Sequence, residues 1–210
     1  MARISDRPWP VSIAGDWRGM RVLLRPLRAR ADRVEFVTLR AENAAWTLPW
    51  DSTSPIGGPQ MSFSQMVRQQ DRAATRGEML PFVIEIDGHL AGQMHLFNIV
   101  RGALRSAGAG YWISQRYAGQ GVTPFALATA IDHAFNELRL HRVEVNIRPD
   151  NHSSLAVVRK VGLRDEGLRA KYLHINGQWH DHRTFAVVAE DRENGESLVH
   201  RLRREHERRV

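Results

Sequence analysis

A chain of 210 residues with 42% apolar, 25% charged and 8% aromatic side chains has the makeup of one large or two small globular domains, which excludes a fibrous or wholly disordered chain. It has no cysteine, so disulfides, a thiol nucleophile and cysteine-bound zinc are excluded as well. The formal charge of +7 rests on 30 basic residues, of which only Lys160 and Lys171 are lysine; arginine captures phosphate and carboxylate in bidentate fashion, so this skew either invites an anionic partner such as a nucleotide, RNA or an acidic protein, or reflects an arginine-rich coding composition.

Residues 1–18 hold Pro8, Pro10, Trp9 and Trp17 without a usable period and read as an arm laid over a domain. They lack the apolar core of a signal peptide, and no apolar run approaches the ~20 residues that cross a bilayer, so the expectation is a soluble cytoplasmic protein without a membrane partner. Val22 to Leu27 predicts a strand that Pro26 places at an edge or an end. Helical spacing runs from Ala31 to Trp46 and again from Ser62 to Arg76, with Gly57, Gly58 and Pro59 as the loop between them. Three strands follow, at Phe82 to Ile86, Leu90 to Ile99 and Ala107 to Ile113, the first two joined by an Asp87-Gly88 hairpin turn. Leu127, Ile131, Ala134, Phe135 and Leu138 recur at helical spacing over Val122 to Leu138, and Pro124 is tolerated in the first turn. The chain then reads as a strand at Arg142 to Ile147, a helix from Asn151 to Val161 closed by Gly162, and strands near Leu168 to Ile175 and Arg183 to Val188 across Asn176-Gly177. Residues 191–210 form a charged helical tail, solvated or frayed, in which Arg201, Arg203, Arg204, Arg208 and Arg209 outnumber Glu205 and Glu207. The order predicts an α+β (mixed α/β sheet) domain at 19–190, between the arm at 1–18 and the tail at 191–210.

The stretch that carries chemistry lies between a strand and the long helix and reads Gln115, Arg116, Tyr117, Ala118, Gly119, Gln120, Gly121, Val122. Its glycines let a ligand approach the backbone, and the free amides of a helix start favour phosphate, although such a turn is also a routine connection. The chain contains no Gly-Lys pair, so a Walker loop is excluded. Gly108-Ala109-Gly110 is followed by Ile113 where a dinucleotide fingerprint needs its third glycine, so a Rossmann reading fails.

Arg116 to Gly121 resembles the Gln/Arg-x-x-Gly-x-Gly/Ala pyrophosphate loop of the GNAT superfamily of N-acetyltransferases. Gly110-Tyr111-Trp112-Ile113, His141-Arg142, Asn151, Gly162-Leu163 and Asn176-Gly177-Gln178-Trp179 are similar to its RimJ/RimL branch, the ribosomal-protein-alanine N-acetyltransferases. The resemblance implies a twisted mixed sheet whose fourth and fifth strands splay apart, with acetyl-CoA as cosubstrate in the gap. It implies that the amides of Gly119, Gln120, Gly121 and Val122, with Thr123, hold the pyrophosphate beside Arg116. The backbone of Trp112 and Ile113 would pair with the pantetheine arm, and Asn151 would touch it from the other side or simply cap its helix. Arg148, at the end of the fifth strand, is a further candidate for phosphate.

Acyl transfer needs a neutral amine, and an α-amine at pH 7 is about 300-fold more neutral than a lysine amine. An N-terminal acetyltransferase therefore tolerates a weaker base than a lysine acetyltransferase does. Glu144 is the candidate base, although it can equally be a paired carboxylate, and the family's usual base position falls on Asn146. Ser154 matches the serine proposed in this branch to protonate the leaving thiolate, and Tyr172 is a spare acid. Trp46, Trp50 and Asp51 resemble the lining of the acceptor cleft. His180 and His182 share a strand face at a spacing that can ligate metal, but no third ligand is evident and no metal is expected. The function implied is acetyl transfer to a protein N-terminal amine, a ribosomal protein foremost, with ribosome or RNA association through the arginine-rich surface. The alternatives are a lysine or small-molecule amine acceptor, or a CoA-binding, RNA-associated adaptor.

Overall fold

A computed structural model describes residues 9–58, 61–192 and 195–208. In chain order the elements are β1 (Ile13–Trp17), β2 (Met20–Pro26), α1 (Arg33–Glu42), α2 (Ala44–Thr47), α3 (Phe63–Thr75), β3 (Leu80–Ile86), β4 (His89–Val100) and β5 (Ser106–Ile113). They continue with α4 (Val122–Asn136), β6 (Arg142–Ile147), α5 (His152–Val161), β7 (Arg164–Ile175), β8 (Gln178–Val188) and α6 (Leu198–Glu207). One sheet runs in the order β1-β2-β3-β4-β5-β6-β8-β7. Every neighbouring pair is antiparallel except β5 and β6, which α4 joins as a crossover and which are parallel.

The β5–β6 ladder lasts only from Ser106 opposite Arg142 to Gly108 opposite Glu144. Past that point the strands diverge, so Ala109–Ile113 on one side and Val145–Ile147 on the other edge an open gap. Helix α4 is apolar on nearly every face and buried along almost its whole length, as a helix enclosed by sheet and other helices must be. It carries Leu127, Ile131 and Phe135 into the main core with Phe82, Ile84, Met94 and Val143. A smaller cluster on the opposite sheet face packs Phe36 of α1 and Val67 of α3 over Val83 and Leu90.

Both ends of the chain differ from the expectation. Ile13–Trp17 is an edge strand paired with β2 from Ile13 opposite Leu24 to Trp17 opposite Met20, and Trp9 and Trp17 are buried in the main core. Gly15 and Asp16 break the alternation that would have announced the strand; residues 1–8 of the arm lie outside the described residues. The tail is a docked helix rather than a frayed one. Leu198 and Leu202 are buried, and the Asp132 carboxylate of α4 accepts the amides of Leu198 (2.9 Å) and Val199 (3.0 Å). The three arginines of helix α6 have partners in the protein: Arg201 donates to the Val161 carbonyl, Arg203 to the Asp16 carbonyl, and Arg204 pairs with Glu196. Arg209 lies outside the described residues.

Candidate active site

The turn from β5 to α4 is fixed from below. Ser114 donates its amide to the Ala91 carbonyl (2.7 Å) and Gln115 donates to Asn43 Oδ1 (2.8 Å), which sets where β5 ends. Gly121 then opens α4 from a left-handed conformation, φ +82°, where an L-residue is strained by roughly 1–2 kcal/mol. Trp17 of β1 donates Nε1 to the Gln120 carbonyl at 3.1 Å and stacks on Phe125. Helix α4 has no side-chain cap, and among the described residues the amides of Gly119, Gly121, Val122 and Thr123 donate to no protein group. Unspent donors at the positive end of a helix dipole form a seat for an anion. A Cβ on Gly119 would meet nothing within 4 Å, whereas one on Gly121 would sit 2.9 Å from Trp17 Nε1. One glycine keeps the seat open, and the other admits the indole that supports it.

From this loop a cleft of about 880 Å³ runs through the gap between β5 and β6. Tyr111 spans the gap and donates its hydroxyl to the Ser154 carbonyl of α5 at 3.3 Å; burial raises its pKa above the ordinary phenol range, so it stays neutral. On the same β4–β5 side of the gap, Trp112 Nε1 donates to Gln93 Oε1 (2.8 Å) and Gln93 Nε2 lies 3.1 Å from His95 Nε2. An indole can only donate, so the Gln93 oxygen faces Trp112 and its amide nitrogen donates to His95. The His95 Nε2 lone pair is therefore taken, and its ring proton sits on Nδ1. Burial pushes this imidazole down to about 4, so it is neutral at pH 7.

The mouth is a set of interlocked charges and rings. Arg40 pairs with Asp51 at 2.5 Å and lies over Trp112, while Arg148 pairs with Asp150, donates to the Pro49 carbonyl and lies over Trp50. Trp46 donates Nε1 to the Ile113 carbonyl at 3.1 Å. Asn146 accepts from Thr184 Oγ1 (2.7 Å), and its amide nitrogen lies 3.5 Å from the Tyr172 hydroxyl.

A family model described as an acetyltransferase (GNAT) domain matches residues 21–164. The chain belongs to the GNAT acetyltransferase family. A solved structure of Mycobacterium smegmatis RimJ in complex with a CoA disulfide is 35% identical to it, covers 95% of this chain and 97% of its own, and superposes with a TM-score of 0.85. The Escherichia coli ribosomal protein uS5-alanine N-acetyltransferase is 33% identical over 102 residues, 49% of this chain and 53% of that protein. The Escherichia coli spermidine N(1)-acetyltransferase is 29% identical over 183 residues, 85% of this chain and 94% of that protein. The chain spans about half the length of several curated relatives it matches.

A GNAT cosubstrate fits these residues: the free-amide seat suits a pyrophosphate and leads directly into a strand gap that suits a pantetheine arm. Trp112, Ile113, Gly119, Gly121, Thr123 and Asn151 all line the cleft. Gln120 faces elsewhere, its side chain donating to the Arg116 carbonyl and its amide to the Tyr117 carbonyl at 3.5 Å, so it is not part of the free-amide seat; Val122, whose side chain is buried in the core, can offer only its amide. Arg116 is exposed, with its guanidinium over the Tyr117 ring. Arg148 belongs to the mouth and not to the phosphate seat, because Asp150, Pro49 and Trp50 hold it there. Asn151 caps α5, its Oδ1 accepting the Ser154 amide at 3.0 Å, while also facing the cleft.

Ser154 and Tyr172 line the cleft, but Glu144 does not. Glu144 lies where β5 and β6 are still paired, and Arg142 (2.8 Å) and Arg169 (3.2 Å) hold its carboxylate. His180, Asp181 and His182 do not converge. Asp181 accepts the Lys171 amide, His182 bonds the His180 carbonyl, and among the described residues no group of three or more His, Cys, Asp or Glu is placed to hold a metal ion. No described helix is long and apolar enough to cross a membrane. Sequence reasoning missed Gln93, His95 and Tyr111. The first two alternate along β4 opposite Trp112 and Gly110, a relation visible only in the β4–β5 register.

Proposed function

We propose that this chain is an acetyl-CoA-dependent N-acetyltransferase that acetylates the N-terminal α-amine of a protein, a ribosomal protein foremost, by direct attack in a ternary complex. The observation that carries the reading is a seat of unspent amides continuous with a strand gap, in one cleft whose far side is lined by side chains. One end takes the anionic cosubstrate, and the other takes an amine. The likeness to RimJ and to the uS5-alanine enzyme supports a peptide acceptor, and so does the charge of the lining. A polyamine is best held by several free carboxylates. Among the described residues the cleft is lined by a single one, Asp51, already paired with Arg40, together with the cations Arg148 and Lys160.

The assay is incubation with acetyl-CoA and peptides beginning with Ala or Ser, set beside spermidine, following free CoA and locating the acetylated nitrogen by mass spectrometry. Turnover with α-amines and little with spermidine is expected. Faster turnover with spermidine would overturn the acceptor assignment.

A further inference from the structure

The acyl transfer needs a group that removes a proton from the acceptor, and the carboxylate that sequence reasoning favoured is outside the cleft. His182 of β8 is inside it. Its residue is only 3% exposed, yet it lines the cleft with Asn146, Ser154 and Tyr172. Nδ1 lies 3.0 Å from the His180 carbonyl, and a carbonyl can only accept, so Nδ1 carries the ring hydrogen and Nε2 presents a bare lone pair. Among the described residues that lone pair has no protein partner, and Nε2 is not sealed away, because the one sealed and unpartnered side-chain polar atom is Arg204 Nε. The small surface left to this buried ring opens on the cleft. Tyr172 of β7 stands edge-on to the ring, centroids 5.7 Å apart, and restrains it further.

We infer that His182 Nε2 is the general base of this active site, taking a proton from the acceptor ammonium as the amine is made ready to attack. The inference rests on the acetyltransferase reading above. The freed nitrogen lone pair forms the N–C bond to the thioester carbonyl, and the C–S bond breaks with its electron pair leaving on sulfur. The second N–H proton, lost as the amide forms, goes to the thiolate. His182 returns its own proton to water, so each turnover yields one amide, one CoA thiol and one proton. A carbonyl-anchored histidine with its other nitrogen free is the usual arrangement for proton abstraction.

The charged and titratable groups around the ring act in both directions. Burial lowers its pKa most, Arg148 and His180 lower it further, and the His180 carbonyl and Asp150 oppose them. From β7 it meets the Tyr172 phenol, over which the Arg169 guanidinium lies. The ring is therefore neutral and competent at pH 7. His95, the other cleft imidazole, has the opposite tautomer with its lone pair spent on Gln93, so it cannot take this role without breaking that bond.

The test is kcat against pH, at saturating acetyl-CoA, for the wild type, His182→Ala and His182→Gln, with whichever amine the wild type turns over. His182→Ala should lose about 100-fold in kcat, at the lower end of the usual contribution of a general base, with CoA affinity by calorimetry unchanged. Added imidazole should restore part of that rate, and the acid limb of the wild-type profile should vanish in both variants. Loss of CoA binding with the rate, no rescue by imidazole, or an unchanged acid limb would each overturn the assignment. Nitrogen-15 shifts of labelled histidine read the tautomer without any acceptor: Nε2 unprotonated at pH 7 is expected, and an Nε2–H ring overturns the inference. Turnover of spermidine alone would sink the α-amine reading while leaving the His182 comparison intact.

Discussion

The two walls of the cleft are made of different materials. The cosubstrate wall is backbone: amides of Gly119, Gly121, Val122 and Thr123 that nothing else uses, on a turn held by Trp17. The acceptor wall is side chain, with Trp112, Gln93 and His95 linked in series and His182 locked by a carbonyl. A backbone seat tolerates almost any sequence except at the residues that keep it open, and it fails sterically. A side-chain wall depends on which atom of each ring or amide carries a hydrogen, and it fails chemically.

The largest expected effect follows from the first of these properties. A Cβ on Gly119 meets nothing within 4 Å, so Gly119→Trp brings an indole to the seat with no clash at its Cβ, at a cost of about 1–2 kcal/mol for an L-residue at a φ of +78°. CoA affinity by calorimetry should fall about 1000-fold, ~4 kcal/mol, while circular dichroism stays native. Retained affinity would mean that the phosphate seat is elsewhere. Gly121 makes a poorer test, since its side chain would collide with Trp17 and confound folding with binding.

The acceptor wall should show itself in acid. His95 is held down to about 4 by burial, against about 6.5 for an exposed histidine. The unfolded chain thus binds more protons between those values, and the stability present above pH 6.5 is lost as pH falls towards 4. Between pH 7 and pH 5 this group accounts for about 2 kcal/mol of lost stability. Urea midpoints at the two pH values check it, with His95→Gln expected to flatten the dependence. An equal slope in that variant would show that His95 titrates freely.

The same division explains what was legible beforehand. Glycines, helix starts and hairpin turns are local signals, so the loop, the order of elements from β2 to β8, apart from the break at Asn43 that separates α1 from α2, and the capping Asn151 could all be read along the chain. Tautomers and ion pairs are set by neighbours distant in sequence. Glu144 looked available because Arg142 and Arg169 could not be placed beside it, and His182 looked like half a metal site because the bond to the His180 carbonyl depends on the strand's geometry. The docking of α6 was equally hidden, since it turns on Asp132, 66 residues before Leu198.

Asn151 belongs to both descriptions, and its loss should be intermediate. Removing the cap that receives the Ser154 amide should cost about 1 kcal/mol, visible as a lower thermal midpoint for Asn151→Ala. If that residue also touches the cosubstrate, CoA affinity should weaken alongside stability. A stability loss with unchanged affinity would confine it to capping.

Glu144→Gln should do least, and for that reason it is the sharpest check on how the two walls divide the chemistry. Glu144 sits in the last ladder pair before the gap, held by two guanidiniums, and Arg142 keeps Glu166 as a second partner when Glu144 is neutralised. Partly exposed pairs of this kind are worth at most about 1 kcal/mol, so folding should hardly change and kcat should stay within about threefold of wild type, since a general base is worth ~100-fold or more. A hundredfold loss of kcat with CoA affinity intact would mean that Glu144 leaves its arginines to reach the amine. The base would then lie on β6, and the free lone pair of His182 would need another purpose.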